Sequence, residues 1–231
     1  MQMIINVGSL LEGAREARGT AIIIDVYRAF TTAAIALSRG ANAIILVAEI
    51  EEALELKRNA AGDLCMGEVD GKRPHGFDFG NSPHEISTAD VNGKTLIQST
   101  RAGTVGVSAA VKADRIYAGS LITAEATIKA VIRNAPDTVS IVAMGAEGRT
   151  KSDEDEQCAL YLRNLLQGRK PDTESVRSLI LAGEESQKYE DPSRPHFHLK
   201  DREHALSIST MPFAISVARE AGLLVARMEA Q

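Results

Sequence analysis

The run Ala21-Ile22-Ile23-Ile24, closed by Asp25, constrains the fold more than any other stretch of the 231-residue chain. Aliphatic residues without polar alternation suit a strand buried on both faces, and such strands belong to parallel sheets covered by helices. The pattern recurs. Ala43 to Val47, Thr95 to Gln98, Arg115 to Ala118 and Val139 to Ala143 read as strands, with Met3 to Val7 and Leu64 to Gly67 as shorter ones. Helical stretches separate them. These are Leu10 to Ala17, an Ala-rich helix opening near Thr31 and ending about Ser38, Glu49 to Ala60, and a small-residue helix reaching about Val111. Ser120 reads as the cap of a helix reaching Arg133, and Ser152 as the cap of one reaching about Leu166. Further helices are expected near Thr173 to Ala182, His198 to Ser207 and Met211 to Ala221. The alternation predicts an α/β chain: a mainly parallel sheet with helices on both faces, three-layer, with a helical C-terminal part. Residues 1–231 read as one such domain or two closely packed subdomains.

Composition excludes several function classes. A formal charge of -5 leaves no electrostatic footprint for nucleic acid or an anionic membrane. Aromatics make up only 4% and Trp is absent, so base-stacking platforms are not expected. No apolar run approaches the roughly 18–20 residues of a membrane span. Met1 to Gly8 has no basic segment before an apolar one, so no secretory signal is expected. Cys65 and Cys158 lack metal-ligand spacing and suit a reduced, cytoplasmic setting.

The polar residues collect where the strands end. An irregular loop from Gly67-Glu68 through Asp78-Phe79-Gly80-Asn81-Ser82-Pro83 is long for a compact α/β chain, whose connections run to roughly 4–6 residues. Ser82 with Pro83 reads as a helix start. Other strand ends carry Asp25 with Arg28, Thr31 and Thr32; Ser99, Thr100, Arg101, Gly103 and Thr104; and Gly119-Ser120. Gly145 to Gly148 follow another strand, with Asp153 and Asp155 close behind. In open parallel sheets ligands bind beyond the carboxyl ends of the strands, so one sheet edge would gather these groups. Hydroxyls, glycines and helix starts suit an anion, and arginines pair with oxyanions in a forked geometry. Carboxylates beside them would repel that anion unless a hard divalent cation such as Mg²⁺ lies between. The histidines, His196 and His198 included, read as structural or surface residues. Phosphate-loop, dinucleotide and nucleophile-elbow motifs are missing from the sequence.

The chain resembles the 2-phosphosulfolactate phosphatases (the ComB family of the coenzyme M route) from about Ile4 to Ala221. The strings that carry the resemblance are Ile24 to Thr32, Gly67-Glu68, Gly76 to Pro83 and Ser99 to Thr104. Gly119-Ser120-Leu121 and Glu154-Asp155 with Cys158 add to it. The resemblance implies an α/β fold, Mg²⁺ dependence and hydrolysis of a phosphate monoester of a small acidic 2-hydroxy acid. It brings Asp25, Arg28, Glu68, Asp78, Asn81, Thr100 and Asp155 into the active-site cleft. Three departures, at Tyr27, Phe30 and Arg101-Ala102, bear on substrate choice.

On this reading Asp25, Arg28, Asn81, Thr100 and Arg101 are the expected catalytic set. Asp25, Glu68, Asp78 and Asp155 are the expected Mg²⁺ ligands. Thr31, Thr32, Ser99, Gly103, Thr104 and Ser120 are the expected phosphate-binding residues. The attacking group is a metal-activated water or Asp25 itself; water is favoured because Tyr27 stands where aspartyl-phosphate enzymes carry a second Asp. The alternative is a binding module for a phosphorylated or sulfonated metabolite, without turnover. The expected partner is a phosphorylated hydroxy acid. A homodimer is also expected, from small residues on the helices Ala29 to Ala36 and Ala102 to Ala110.

Overall fold

The structure, a computed structural model, describes residues 3–230. Its strands are β1 (Ile4–Ser9), β2 (Gly19–Ile24), β3 (Ala43–Val47), β4 (Leu64–Gly67), β5 (Thr95–Ser99), β6 (Ala113–Gly119), β7 (Thr138–Ala143), β8 (Phe213–Glu220) and β9 (Leu223–Ala230). The helices are α1 (Leu10–Glu16), α2 (Ala29–Ser38), α3 (Ile50–Arg58), α4 (Pro83–Thr88) and α5 (Gly103–Ala109), followed by α6 (Ala124–Arg133), α7 (Asp153–Leu166), α8 (Thr173–Leu181), α9 (Glu184–Gln187) and α10 (Leu199–Ala205). All nine strands form one sheet in the order β1-β7-β2-β6-β8-β9-β3-β5-β4.

The sheet is mostly parallel, with one exception that reshapes it. β6–β8, β8–β9 and β9–β3 are antiparallel pairs. The β8–β9 hairpin therefore splices two parallel sets that run in opposite senses along the ladder. Even so, Gly103 N beyond β5 donates to Asp25 Oδ2 beyond β2 at 2.8 Å. The carboxyl ends of β2 and β5 are therefore close in space although their strands run in opposite senses.

The helix expected over Met211 to Ala221 is thus a strand, and the C-terminal part is not helical throughout. Pro212 and Gly222 imitate helix punctuation. The apolar period, however, is two: Phe213, Ile215 and Val217 enter one core cluster and Ala214 another. Ala221 and Gly222 turn the hairpin at positive φ, 47° and 88°. Ser152 also departs from expectation. It precedes α7 without a capping bond, and its Oγ donates to Glu154 Oε1 at 2.7 Å. Ser120 opens a 3-10 turn, Leu121–Thr123, ahead of α6.

Helices cover both faces, as the alternation along β2 shows. Ile23 packs with Phe30 and Ala33 of α2 and Val107 of α5. Ile22 and Ile24 pack with Ile128 of α6 and Leu162 of α7. Along β3, Ile44 and Leu46 join the first cluster, while Ile45 and Val47 pack with Ala53 of α3. Each fully buried Ile contributes about 1.5–3 kcal/mol relative to exposure. The small residues of α2, and Gly103 and Gly106 of α5, are buried within this chain. They allow close packing of these helices against the sheet. Among the described residues no helix is long and apolar enough to cross a membrane.

Candidate active site

Two carboxylates stand at the carboxyl ends of the two strand sets, each held by main-chain donors. Asp25 follows β2 and is 5% exposed. Its Oδ1 accepts from Ala29 N at 2.9 Å and its Oδ2 from Gly103 N. Glu68 follows β4; its Oε2 accepts from Gly71 N and its Oε1 from Arg101 N, both at 2.8 Å. Glu68 therefore joins the loop after β4 to the loop after β5.

Gly67 makes this approach possible. Its φ is +155°, and a Cβ there would lie 1.9 Å from Ser99 O. Gly67→Ala is expected to cost at least about 1–3 kcal/mol in backbone strain and to shift Glu68 off its partners. Urea unfolding checks the first effect; an unchanged midpoint would contradict it.

A cavity of about 500 Å³ opens over these carboxylates. Asp25, Arg28, Glu68, Asn81 and Arg101, all expected at the site, line it. Asp70, Glu147 and Glu185 bring its acids to five, and Lys72, Lys188 and Arg194 bring its Lys and Arg residues to five. The lining is two-signed and balanced. Lys188 Nζ pairs with Glu185 at 2.5 Å. No acidic or hydrogen-bonding partner of the Arg101 guanidinium occurs among the described residues. Asn81 is 5% exposed, and its Oδ1 is buried without a partner.

Arg28 is committed elsewhere. Its Nη1 donates to Asp201 Oδ2 at 2.9 Å and to His196 O at 2.8 Å. Its Nη2 donates to Gly71 O at 3.0 Å, and its Cζ lies 4.8 Å from the Phe197 ring centroid. Asp201 Oδ1 accepts from Ser82 Oγ at 2.6 Å and from His84 N at 2.9 Å. Ser82 also caps α4 as expected, accepting from Glu85 N at 3.1 Å. Arg28 thus clamps the loop after β4, the approach to α10 and the start of α4 around the cavity.

The other expected site residues do not line the cavity. Asp78 is held by Lys57 Nζ at 2.6 Å and Cys65 N at 2.7 Å. Burial alone would raise its pKa; Lys57 and the Cys65 N–H outweigh that and hold it below the usual carboxylate range. Asp155 lies behind the floor, accepting from Val26 N at 2.7 Å and Gly145 N at 2.8 Å. Thr31 and Thr32 sit one turn into α2, so their hydroxyls bond back to Val26 O and Arg28 O, each at 2.9 Å. Thr100 and Thr104 bond to each other's main chain at the start of α5. Gly103 contributes its N–H to Asp25. The hydroxyls of Ser99 and Ser120 are buried without partners, and neither residue lines the cavity.

Burial dominates the electrostatics. It pushes Asp25 up to about 6, helped by the nearby charge of Glu68. It raises Glu154 to about 8, and it lifts Asp155 well above the carboxylate range, with Glu154 and Asp25 adding to the effect. A group whose folded pKa exceeds its unfolded value stabilises the fold below the unfolded value and loses that contribution as pH rises through the folded one. With no divalent cation present, stability is therefore expected to fall as pH rises from 5 to 8. Carboxylates with lowered pKa, such as Asp78, are already ionised across this window. Urea midpoints measured in EDTA across that range check the sign; a rising midpoint would contradict it.

Among the described residues, no three His, Cys, Asp or Glu side chains are placed to hold an ion by themselves. The donor set over the cavity is two carboxylates, Asp25 and Glu68. Each of their oxygens has accepted one hydrogen bond and keeps a second lone pair.

Several lining residues escaped the sequence reading. Asp70-Gly71 forms a tight hairpin, with φ of 53° and 75° and reciprocal main-chain bonds between Val69 and Lys72 at 3.0 Å. The dipeptide itself is a strong hairpin signal and could have placed Lys72 at a loop tip. Ser186 to Pro195, polar with two prolines, reads as a surface loop, and Arg28 ties the residues that follow it to Gly71 at the cavity. His196, expected to be structural or at the surface, lines the cavity there.

Carboxylates held by strand-end amides, beneath a cavity with an unpaired guanidinium, define an α/β protein suited to a small anionic ligand. The chain belongs to the 2-phosphosulfolactate phosphatase family, whose model, described as 2-phosphosulpholactate phosphatase, matches residues 8–211. Among its relatives, a probable 2-phosphosulfolactate phosphatase of Thermotoga maritima is 38% identical over 130 residues, covering 56% of this chain and 55% of that one. One from Caldicellulosiruptor saccharolyticus is 39% identical over 156 residues, 66% of this chain and 64% of that one. One from Thermoplasma acidophilum is 32% identical over 169 residues, 70% of this chain and 75% of that one. The chain thus spans just over half the length of the Thermotoga relatives it matches.

Proposed function

We propose that this protein is a Mg²⁺-dependent phosphoric monoester hydrolase acting on a small, highly anionic phosphorylated 2-hydroxy acid of the 2-phosphosulfolactate type. The observation that carries the reading is that Arg101, whose guanidinium has no partner among the described residues, lines one cavity with the carboxylates Asp25 and Glu68, its main-chain N–H bound to Glu68. The guanidinium suits the phosphoryl oxygens, where charge must be stabilised in the transition state. The two carboxylates suit Mg²⁺, which takes one or two such ligands and completes its shell with water and substrate oxygens. Bound there by Asp25 and Glu68, the cation would neutralise phosphoryl charge and lower the pKa of a water. The names of the relatives point to the same reaction.

In this mechanism a water oxygen attacks phosphorus while its proton passes to Asp25. The phosphorus–oxygen bond to the hydroxy acid breaks, and the departing oxygen takes a proton from solvent in the cavity. Arg101 holds two phosphoryl oxygens in line for this displacement. Water suits the attacking role better than Asp25, because amide donors already fix both Asp25 oxygens.

Phosphate release from a panel of phosphoesters tests the proposal. 2-Phosphosulfolactate and 2-phospholactate are expected to be hydrolysed in preference to phosphoesters of neutral alcohols. Tight binding of these compounds without release would instead favour a binding module.

A further inference from the structure

We propose that Lys72 and Arg194 form a second anion subsite on the rim of the cavity and set substrate preference by holding the charged group that accompanies the phosphate. The proposal rests on the reading of the cavity as a phosphoester site and adds the residues that would choose among phosphoesters.

The rim forms where the hairpin at Val69–Lys72 packs against residues 194–197. A Cβ at Gly71 would lie 2.7 Å from Phe197 Cζ and 3.1 Å from His196 Cδ2, so the two segments touch there. Arg28 binds both, through Gly71 O and His196 O. Lys72 and Arg194 are thereby carried on one fixed edge of the cavity rather than on independent loops.

Their charge is poorly answered. Lys72 has no acidic partner among the described residues, and Arg194 meets only Asp191, at 3.4 Å and exposed to solvent. By contrast Lys188, nearby in the same cavity, is tied to Glu185 at 2.5 Å. His196 reports the resulting field. Burial, then Lys72, Arg28 and Arg194, lower its pKa, which leaves a neutral imidazole able to donate from the same edge.

A cavity of about 500 Å³ also exceeds the need of a phosphate alone, given that one water occupies about 30 Å³. Arg101 is half-buried and its main-chain N–H binds Glu68, whereas Lys72 and Arg194 are exposed at the rim. The floor suits the phosphoryl group, and the rim suits a carboxylate or sulfonate on the same small molecule.

The test compares kcat/KM for 2-phosphosulfolactate with that for phenyl phosphate, which carries no second anionic group. Lys72→Met/Arg194→Met is expected to reduce the ratio of these two values about tenfold, chiefly through KM. A ratio equal to that of the unaltered protein would overturn the proposal. Binding of 3-sulfolactate, followed by the ring resonances of His196 in a pH titration, decides the matter without turnover. The added anion is expected to raise the His196 pKa in the unaltered protein and to leave it in place in the double variant. An equal rise in both, or none in either, would overturn the subsite. If neither phosphoester is hydrolysed, the phosphatase reading fails by itself, and the titration still decides the rim.

Discussion

Arg28→Met is expected to destabilise the protein by about 3–5 kcal/mol, because it strands Asp201 as a buried, unpaired carboxylate. The side chains of Arg28 and Asp201 are 3% and 0% exposed and meet at 2.9 Å. Solvent screening offers no relief at such burial. Two main-chain carbonyls, Gly71 O and His196 O, lose their donor in the same step. Asp201→Asn is the complementary change, and it retains an oxygen for Ser82 Oγ and His84 N. The double variant Arg28→Met/Asp201→Asn is expected to lose less than the sum of the single losses, with a coupling of about 1–3 kcal/mol. Chemical unfolding of all four proteins measures this. Additive losses would mean that Arg28 acts on the cavity rather than through Asp201.

Asp25→Asn is expected to lower phosphate release roughly 10²–10⁴-fold, the range that separates a positioned general base from none. The variant removes both the proton acceptor and one of the two cation-binding carboxylates. Stability should move much less. The change relieves a buried charge that the fold keeps at a raised pKa of about 6. It also turns an amide NH₂ toward Ala29 N or Gly103 N, where an acceptor stood. These effects oppose each other, so a large loss of activity with a near-normal unfolding midpoint is the expected signature. Loss of both together would assign Asp25 a packing role.

The parallel part of this fold is legible because its determinants are local. Runs such as Ala21 to Ile24 and Ala43 to Val47 announce strands buried on both faces, and β3 and β4 match their sequence boundaries. The hairpin of β8 and β9 is not legible in the same way. Its strand character comes from insertion between β6 and β3, a long-range pairing that Pro212 and Gly222 disguise as helix ends. Asp25 and Glu68 could be found as polar residues closing strands. Thr31, Thr32 and Thr104 carry the same signal, yet helix geometry turns their hydroxyls to their own backbone. Asp78 looks like a ligand until the fold brings Lys57 to it across 21 positions. Arg28 looks like a phosphate ligand until the fold brings Asp201 to it across 173. Motif strings preserve which residues matter together, but the partner of a charge is a tertiary fact.

The most direct test of the account is the rate of phosphate release from 2-phosphosulfolactate, measured with Mg²⁺, after EDTA, and after Mg²⁺ is returned. Release is expected with Mg²⁺, with its loss on chelation and its recovery on restoration. Release that persists undiminished in EDTA, or no release from the folded protein at any Mg²⁺ concentration, would contradict the assignment of Asp25, Glu68 and Arg101 to metal-assisted phosphoester hydrolysis.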